Sequence, residues 1–234
     1  PLKQLKIVLV EPAGALNVGS IARVMKNMGL EQLILVNPHC DRFGEEARRM
    51  AVHGVEVLEK ARIVESLPDA LSGCQRAIAT TARSRNLPTS LETPKNALAD
   101  LLEGDLQSAL IFGPEDRGLS NTELSYAQRF IGIPSNPEYP SLNLAQAVAI
   151  CAYELYQASL NKEQAAIEEL ILNDEGLIST TTANNSLERV PLEILESYFQ
   201  HLEQNLTKIG YLHPHTAKAR MKKFRRLYNR ASLS

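Results

Sequence analysis

Short apolar segments alternate with amphipathic ones along the first two thirds of the chain. The apolar segments are rich in Ile, Val and Leu and are bounded by Gly, Pro or Asn, which is typical of buried parallel strands. We predict strands at Lys6–Val10, 32–37, 56–64, 76–81, 109–112 and 129–134. We predict helices between them at 18–28, 45–52, 68–71, 94–102 and 122–127. This alternation predicts an α/β fold, with a mainly parallel sheet and helices on both faces.

A longer helix is predicted after residue 143. Apolar residues there follow a 3.6-residue period, at Leu144, Ala147, Val148, Cys151 and Leu155. We therefore expect one helix from residue 144 to about residue 160. Ser141 or Asn143 has a side chain that can cap its first turn.

The end of the chain is predicted to be helical and separate from the α/β part. Residues 173–187 are rich in Ser, Thr and Asn, which is typical of a polar linker. Pro191 suits the start of a helix and Gly210 suits its end, and a second helix is predicted at 215–229. We divide the chain into an α/β domain at 1–165, a polar linker at 166–187 and a small helical C-terminal extension at 188–234.

Composition excludes several classes of protein. The chain has 234 residues, of which 44% are hydrophobic and 22% are charged, as in ordinary globular proteins. The longest apolar runs, such as residues 7–10, are far too short to span a membrane. The three cysteines lie far apart and form no metal-binding pair, and Pro214 makes a turn or cap role more plausible than metal binding for His213 and His215. We therefore expect a cytoplasmic protein without a metal ion or a membrane partner.

Charge is concentrated at the end of the chain. Residues 208–234 carry eight basic side chains and no acidic one, although the whole chain has a net charge of -2. The basic residues are Lys208, Lys218, Arg220, Lys222, Lys223, Arg225, Arg226 and Arg230. Such a segment indicates either contact with a polyanion, most often a nucleic acid, or a solvated helix that keeps the protein soluble.

The first segment with candidate chemistry spans residues 11–23, where a strand turns into a helix. Its glycines allow a tight turn, and free N–H groups at a helix start can hold an anion. Arg23 lies about one helical turn inside, so its guanidinium can point at a phosphate. The alternative is an ordinary turn with Arg23 in a surface ion pair. The glycine spacing does not support a dinucleotide site.

The second segment spans residues 112–121, and its glycine spacing resembles a phosphate-binding P-loop. Leu119 stands where that loop needs its lysine, which argues against a nucleotide triphosphatase. Gly118 suits a sharp turn, and Ser120 and Asn121 suit the cap of the next helix. The segment is therefore either a structural corner or a loop that binds another ligand.

The third segment spans residues 133–147 and contains three prolines, which stiffen the loop before the long helix. Ser141 and Asn143 are either capping residues only, or part of a rigid loop that presents a hydroxyl and backbone groups to a ligand.

Together these segments resemble the three sequence motifs of the SpoU branch of the SPOUT RNA methyltransferases. The matching runs are Asn17-x-Gly19-Ser20-x-x-Arg23, then Gly113-x-Glu115-x-x-Gly118-Leu119-Ser120, then Ile133-Pro134 through Ser141-Leu142-Asn143-Leu144-Ala145-x-Ala147. Residues 80–85, 136–139 and the basic run at 222–228 narrow the resemblance to a bacterial subfamily that methylates tRNA. The resemblance extends over nearly the whole chain.

The resemblance implies a fold, a cofactor and a reaction. The fold would contain a deep trefoil knot near the C-terminal end of the catalytic domain, a rare exception to unknotted topology. The cofactor would be S-adenosyl-L-methionine, and the enzyme would be a homodimer with the helix at 144–160 near the interface. The expected reaction is 2′-O-methylation of the ribose of a pyrimidine, cytidine or uridine, at nucleotide 32 of the tRNA anticodon loop.

The resemblance also assigns roles to residues. Asn17, Arg23 and Ser141 would be catalytic, with Asn143 in support. The cofactor would bind mostly to backbone groups at Thr80, Thr81, Ala82, Gly113, Glu115, Gly118, Ile133, Ser141, Leu142 and Asn143. RNA would contact Arg83, Arg85, Lys218, Arg220, Lys222, Lys223, Arg225 and Arg226. We expect Arg23 to bind a substrate phosphate and to stabilise the developing alkoxide, because a guanidinium stays protonated in proteins and cannot serve as a base.

Two other functions remain open at the sequence level. Ribosomal RNA is an alternative substrate for the same reaction. A non-catalytic RNA-binding module would keep the fold and the basic tail, although Arg23, Glu115, Ser141 and Asn143 are all present.

Overall fold

Six strands form one parallel sheet in the computed structural model, which describes residues 2–82, 91–104, 106–174 and 190–231. The strands are β1 (Lys6–Val10), β2 (Gln32–Val36), β3 (Arg62–Val64), β4 (Arg76–Thr80), β5 (Ser108–Phe112) and β6 (Arg129–Ile131). Their order across the sheet is β3-β2-β1-β5-β4-β6, and every pairing is parallel. The predicted α/β fold with a parallel sheet is confirmed.

Nine α-helices lie within the described residues. They are α1 (Ala15–Asn27), α2 (Glu45–Ala51), α3 (Val55–Lys60), α4 (Leu67–Leu71), α5 (Pro94–Ala97), α6 (Asn121–Leu124), α7 (Leu144–Asp174), α8 (Leu192–Lys208) and α9 (Pro214–Ala231). Short 3-10 turns at Val52–Gly54 and Leu98–Leu102 extend α2 and α5.

Helices cover both faces of the sheet because successive strand residues point to opposite faces. In β1, Ile7 and Leu9 pack in a core with α1 and α7, whereas Val8 and Val10 pack in a second core with α4. The five residues of β1 are all buried, as expected for a central strand of a sheet that is covered on both sides.

The strand predicted at 56–64 is mostly a helix, and this prediction was wrong. Residues 55–60 form α3, and only Arg62–Val64 pair with β2 as β3. Val57 and Leu58 are buried, while the side chains of Glu56, Glu59 and Lys60 are solvent-exposed. The spacing of apolar residues in this short segment is compatible with a strand or with a helix. The segment forms a helix because it packs against α1 and β2.

Helix α7 is longer than predicted, because it continues from Leu144 to Asp174. It therefore includes part of the segment that we assigned to the polar linker. The rest of that segment, residues 175–187, lies outside the described residues. The division of the chain into domains stays a prediction.

The last two helices form a hairpin that rests on the α/β part. Gly210 has a φ of +78°, and Tyr211 N donates to Leu206 O (2.9 Å), which closes the end of α8 as the sequence predicts. Phe199 on α8 packs with Met221 on α9 in a small core. The start of α8 is anchored because Glu193 Oε2 accepts hydrogen bonds from Ser72 Oγ (2.6 Å) and Gly73 N (3.1 Å).

Candidate active site

Loops that follow neighbouring strands meet at the carboxyl edge of the sheet. Because all strands are parallel, the loops after β1, β4, β5 and β6 leave from the same edge. These loops contain the three candidate segments, and they lead into α1, α6 and α7. Strand order therefore brings together residues that are about one hundred positions or more apart in the sequence.

Glu115 joins the first two segments. Its carboxylate accepts hydrogen bonds from the backbone of Ala13 (3.2 Å) and Gly14 (3.3 Å) and from Asn17 Nδ2 (2.9 Å). Burial raises the pKa of Glu115, but these hydrogen bonds more than offset it and hold the pKa below its ordinary value. The carboxylate is therefore charged at neutral pH and fixes the loop after β5 against the start of α1.

Asn17 extends the connection to the third segment. Asn143 Nδ2 donates to Asn17 Oδ1 (3.0 Å), and Asn143 Oδ1 accepts from Ala145 N (2.8 Å) and Gln146 N (3.3 Å). Asn143 thus caps α7, as the sequence predicts, and its amide also reaches α1. Glu115, Asn17 and Asn143 form one hydrogen-bonded chain, which we call the amide chain.

Backbone geometry shapes the loop after β5. Gly118 has a φ of +65°, and a Cβ on Gly113 would lie 2.3 Å from Leu119 N. Only glycine fits at position 113 without moving the loop. Ser120 caps α6 as predicted: Glu123 N donates to Ser120 Oγ (3.2 Å), and Ser120 N donates to Glu123 Oε2.

Arg117 is a structural cation that the sequence analysis missed. Its guanidinium donates to Glu11 Oε2 (2.7 Å) and to both carboxylate oxygens of Glu123 (2.9 and 3.0 Å). Hydrogen bonds to these two carboxylates raise the pKa of Arg117 above its ordinary value. It therefore clamps the loop after β1 to α6. The Gly-Pro-Glu-Asp-Arg-Gly run was the signal, but sequence alone does not place Glu11 beside it.

A cleft opens beside the amide chain, between the loops after β4, β5 and β6. Nine of the ten residues that the resemblance assigns to the cofactor line it: Thr80, Thr81, Ala82, Gly113, Glu115, Gly118, Ile133, Ser141 and Leu142. Asn143, the tenth, follows Leu142 directly and belongs to the amide chain. Phe112, Leu119 and Ile131 add apolar surface to the cleft, and Asp116 and Arg117 lie along it.

Arg23 is the one predicted catalytic residue that the structure does not bring to the cleft or to the amide chain. It lies on α1, is exposed, and makes no hydrogen bond or ion pair within the described part of the chain. Ser141 is exposed at the cleft. Arg83 and Arg85 lie outside the described residues.

Most of the predicted RNA-binding residues lie along α9. Lys218, Arg220 and Lys223 are exposed, and Lys222 and Arg226 are half-buried. Burial and the neighbouring charge of Arg226 lower the pKa of Lys222.

Arg225 has a structural role instead. It donates to Glu196 Oε1 (2.6 Å) on α8 and lies 4.6 Å from the ring centroid of Phe199. Its side chain is only 19% exposed. We therefore leave it out of the proposed RNA-binding surface.

A search of the described residues finds no group of three or more His, Cys, Asp or Glu side chains suited to a metal ion. It also finds no helix with the length and apolar character that a membrane span needs.

Comparison with known proteins places the chain in a family. The sequence profile of the SpoU rRNA Methylase family matches residues 4–153, and that of the C-terminal domain of the tRNA methyltransferase TrmJ matches residues 193–234. The chain therefore belongs to the SpoU methylase family, and the resemblance predicted from the three motifs is confirmed.

Individual relatives match over 69% to 100% of the chain. The tRNA (cytidine/uridine/adenosine-2′-O-)-methyltransferase TrmJ of Pseudomonas aeruginosa is 39% identical over 100% of this chain and 89% of its own length. The crystal structure of TrmJ from Z. mobilis ZM4 is 31% identical, with a TM-score of 0.80 over 98% of this chain and 92% of that one. The methyltransferase AviRb of Streptomyces viridochromogenes, solved in complex with the cofactor AdoMet, shares the fold at 20% identity, with a TM-score of 0.56 over 69% of this chain and 62% of its own.

Proposed function

We propose that this protein is an S-adenosyl-L-methionine-dependent methyltransferase that modifies the 2′-hydroxyl of a ribose in tRNA. The observation that carries the proposal is the amide chain of Glu115, Asn17 and Asn143. It joins the three family motifs at the rim of a cleft. Full-length similarity to tRNA 2′-O-methyltransferases supports the same activity.

The cleft suits S-adenosyl-L-methionine by its chemistry. Ile133, Leu142 and Leu119 offer apolar surface for an adenine ring, and the backbone around Gly113 and Thr81 offers hydrogen-bonding groups. Asp116 and Glu115 supply negative charge near a ligand that carries a sulfonium and an ammonium group. When bound, this cofactor supplies an activated methyl group.

The amide chain and Ser141 would position the ribose. Methyl transfer is an in-line displacement, so alignment of the hydroxyl contributes much of the rate. Asn17 and Asn143 hold each other through their amides, and the hydroxyl of exposed Ser141 is available to the substrate. Arg23 has no partner among the described residues, so its guanidinium is available to bind an RNA phosphate. Because Arg23 lies outside the cleft, it would stabilise the alkoxide only once the bound RNA brings the ribose to it, with the proton leaving to that phosphate or to water.

Helix α9 would hold the tRNA backbone through Lys218, Arg220, Lys222, Lys223 and Arg226. Lys218, Arg220 and Lys223 are exposed, and Lys222 and Arg226 are half-buried. Positive side chains along one helix give sequence-independent, salt-sensitive affinity for RNA. Arg83 and Arg85 extend this proposal to the loop after β4. The target that we propose is a cytidine or uridine at nucleotide 32 of the anticodon loop, where unpaired bases are accessible.

The remaining family features belong to the same proposal. The strand order places the loops after β5, β4 and β6 side by side, where the SPOUT trefoil knot would form. A homodimer would form through α7, which exposes Ile150, Tyr153 and Leu160. The protein would act in the cytoplasm, with residues 1–165 as the catalytic domain, 166–187 as the linker and 188–234 as the RNA-binding extension.

The test is a methyl-transfer assay with labelled S-adenosyl-L-methionine on unmodified total tRNA and on ribosomal RNA, followed by nucleoside mapping. We expect a 2′-O-methylated pyrimidine at nucleotide 32 of tRNA. Arg23→Ala should lose at least about 100-fold in kcat/KM, because one charge-stabilising donor contributes about that much. The matched control is Arg62→Ala, an exposed arginine on the distant edge strand β3.

Each other outcome has a definite meaning. Transfer to ribosomal RNA alone would mean that ribosomal RNA, not tRNA, is the substrate. Ribosomal RNA is the second candidate because the matching profile is that of the SpoU rRNA Methylase family. Cofactor binding without transfer to either RNA would contradict the proposed reaction. No cofactor binding would favour a non-catalytic RNA-binding module.

A further inference from the structure

The loop after β2 presents an exposed aromatic ring. Phe43 is 40% exposed, although phenylalanine is usually buried. Its backbone is fixed on both sides, because Phe43 N donates to Asp41 Oδ1 (2.8 Å) and Arg48 Nε donates to Phe43 O (3.1 Å). A hydrogen-bonded turn directly before α2 therefore holds the ring outward.

Contacts connect this loop to the candidate active site. His39 N donates to Pro12 O (3.0 Å), and the two residues after Pro12 donate to Glu115. Helix α2 packs tightly on α1, since a Cβ on Gly19 would lie 2.2 Å from Ala47 O. Strand β2 lies on the side of β1 away from β5, whereas the proposed cofactor cleft lies over β5, β4 and β6. The Phe43 loop thus follows a strand on the opposite side of β1 from the cleft, and it is hydrogen-bonded to the same loop after β1 whose backbone donates to Glu115.

Two guanidinium groups lie over the Phe43 ring. Arg42 Cζ lies 4.2 Å from the ring centroid of Phe43, and Arg48 Cζ lies 5.8 Å from it. Arg42 Nε is buried and has no hydrogen-bond partner in the part of the chain that the structure describes. Arg48 is tied to Glu59 (3.7 Å) and to the Phe43 carbonyl, so it supports the ring rather than a ligand.

The charge around the loop is balanced, which argues against a polyanion-binding patch. Residues 39–49 contain as many acidic as basic side chains, namely Asp41, Glu45 and Glu46 against Arg42, Arg48 and Arg49. What is unusual there is an exposed aromatic ring with the planar guanidinium of Arg42 stacked over it. Nucleobases stack on both kinds of plane.

We propose that Phe43 and Arg42 form a stacking platform for one unpaired base of the RNA substrate, adjacent to the nucleotide whose ribose is methylated. The inference rests on the proposed function, because it assumes an RNA acceptor at the amide chain. Stacking tolerates any base, so the platform positions the loop without reading its sequence. The guanidinium stacked over the ring supplies the flat surface, and the amide chain receives the neighbouring ribose.

The test compares Phe43→Leu, which removes the aromatic plane, with Phe43→Trp, which keeps one. We expect Phe43→Leu to raise the KM for unmodified tRNA about 10-fold, within the range of aromatic–base stacking. Phe43→Trp should keep the wild-type KM, and both variants should bind S-adenosyl-L-methionine as the wild type does. Arg42→Lys keeps the charge but loses the plane, so it should also raise KM. Thermal unfolding checks that each variant is folded.

A second measurement distinguishes stacking from a local change of shape. Anticodon stem-loop RNAs with an abasic nucleotide on either side of the target are titrated against the wild type and Phe43→Leu. We expect one abasic position to weaken wild-type binding about 10-fold and to add nothing to the defect of Phe43→Leu. The stacking platform would be wrong, with the proposed function intact, if the abasic nucleotide weakened RNA binding equally in both proteins. The same holds if Phe43→Leu methylated tRNA with the wild-type KM. If the wild type methylates no RNA, both this inference and the proposed function fall.

Discussion

The carboxylate of Glu115 holds the loops after β1 and β5 together, alongside the ion pair of Arg117 with Glu11. It accepts one side-chain and two backbone hydrogen bonds, all from donors in the loop after β1 and the first turn of α1. A hydrogen bond to a charged group contributes more than one to a neutral group. Local geometry at the site therefore depends on the ionisation of one side chain.

Replacement of Glu115 by glutamine should destabilise the protein by about 1–3 kcal/mol at pH 7, because one amide oxygen cannot accept from all three donors. The folded-state pKa of Glu115 lies below its ordinary value of 4.5, so the carboxylate stabilises the fold above that pH and loses this effect as pH falls through the folded pKa. Urea unfolding at pH 7 and at stepwise lower pH measures the free energy of unfolding of the wild type and the variant. The difference between these two free energies should become smaller as the pH falls.

The control for that experiment is Glu138→Gln, since Glu138 is an exposed carboxylate in the loop after β6. It should unfold like the wild type across the same pH range. If the difference in the free energy of unfolding between wild type and Glu115→Gln stays constant until the protein unfolds in acid, the charged carboxylate of Glu115 does not have the stabilising role assigned to it.

Gly113→Ala should impair both cofactor binding and stability. Its Cβ would lie 2.3 Å from Leu119 N, so the loop after β5 must open by displacing backbone. Forced overpacking of this kind costs about 1–3 kcal/mol. Calorimetric titration with S-adenosyl-L-methionine should show at least a tenfold loss of affinity. Gly44→Ala, where the nearest contact would be 3.3 Å, should bind the cofactor normally.

At the scale of elements, the α8–α9 hairpin separates two kinds of basic residue. Lys218 and Lys223 are exposed on α9, whereas Arg225 turns toward α8 and Tyr126. Ala217, Met221 and Phe224 form the inward face of α9, so the other positions reach solvent at different angles. The count of basic residues in the sequence does not distinguish these orientations, which the packing of α8 decides.

Glu196→Gln should destabilise the hairpin by about 1–3 kcal/mol, because it leaves the half-buried Arg225 without its carboxylate. The effect is measured as a lower midpoint of thermal unfolding, with faster proteolysis of the C-terminal helices. Glu203→Gln is the matched control, since Glu203 lies on the same helix and has no ion pair among the described residues. Equal midpoints for the two variants would contradict a structural role of Arg225.

Neutralisation of α9 should weaken RNA binding without affecting the cofactor. The variant combines Lys218→Gln, Lys222→Gln, Lys223→Gln and Arg226→Gln. Each phosphate that the protein no longer neutralises reduces the steepness of log K against log salt by about 0.7–0.9, so we expect the slope for tRNA to fall by about two to four. Filter binding at several salt concentrations measures it. Lys60→Gln combined with Arg62→Gln, on the β3 side, should leave the slope unchanged.

At the scale of the whole molecule, α7 is both a core helix and a surface. Val148, Cys151 and Leu155 are buried in the core that α7 shares with α1, and burial raises the pKa of the Cys151 thiol to about 12. Ile150, Tyr153 and Leu160 form a separate apolar stripe that is between 38% and 50% exposed. Because α7 begins directly after Asn143 of the amide chain, a partner that covers this stripe would also fix the start of the helix at the site.

Tyr153→Asp should convert the proposed homodimer into a monomer, because a charge in the middle of an apolar interface lacks a partner. Sedimentation velocity at micromolar concentration measures the change. Tyr139→Asp, at a 79% exposed position outside α7, should leave the dimer intact. A dimer that persists with Tyr153→Asp would place the interface elsewhere.

Much of the fold and of the site could be predicted from the sequence. Continuous apolar strands with intervening helices predicted the parallel sheet, and Asn143, Ser120 and Gly210 predicted where helices begin or end. These features are local, since a cap or a buried strand depends on neighbours within a few positions. The three motifs also indicated the family, because they carry residue types at fixed spacings.

Tertiary structure decided what depends on distant residues. Only strand order places Glu115 beside Asn17, Arg117 beside Glu11 and His39 beside Pro12. Packing also made residues 55–60 helical and turned Arg225 inward, although the sequence pattern allowed a strand and a free cation. Sequence periodicity indicates which residues are buried. The partners of a buried or charged group depend on the chain topology, which no local sequence pattern encodes.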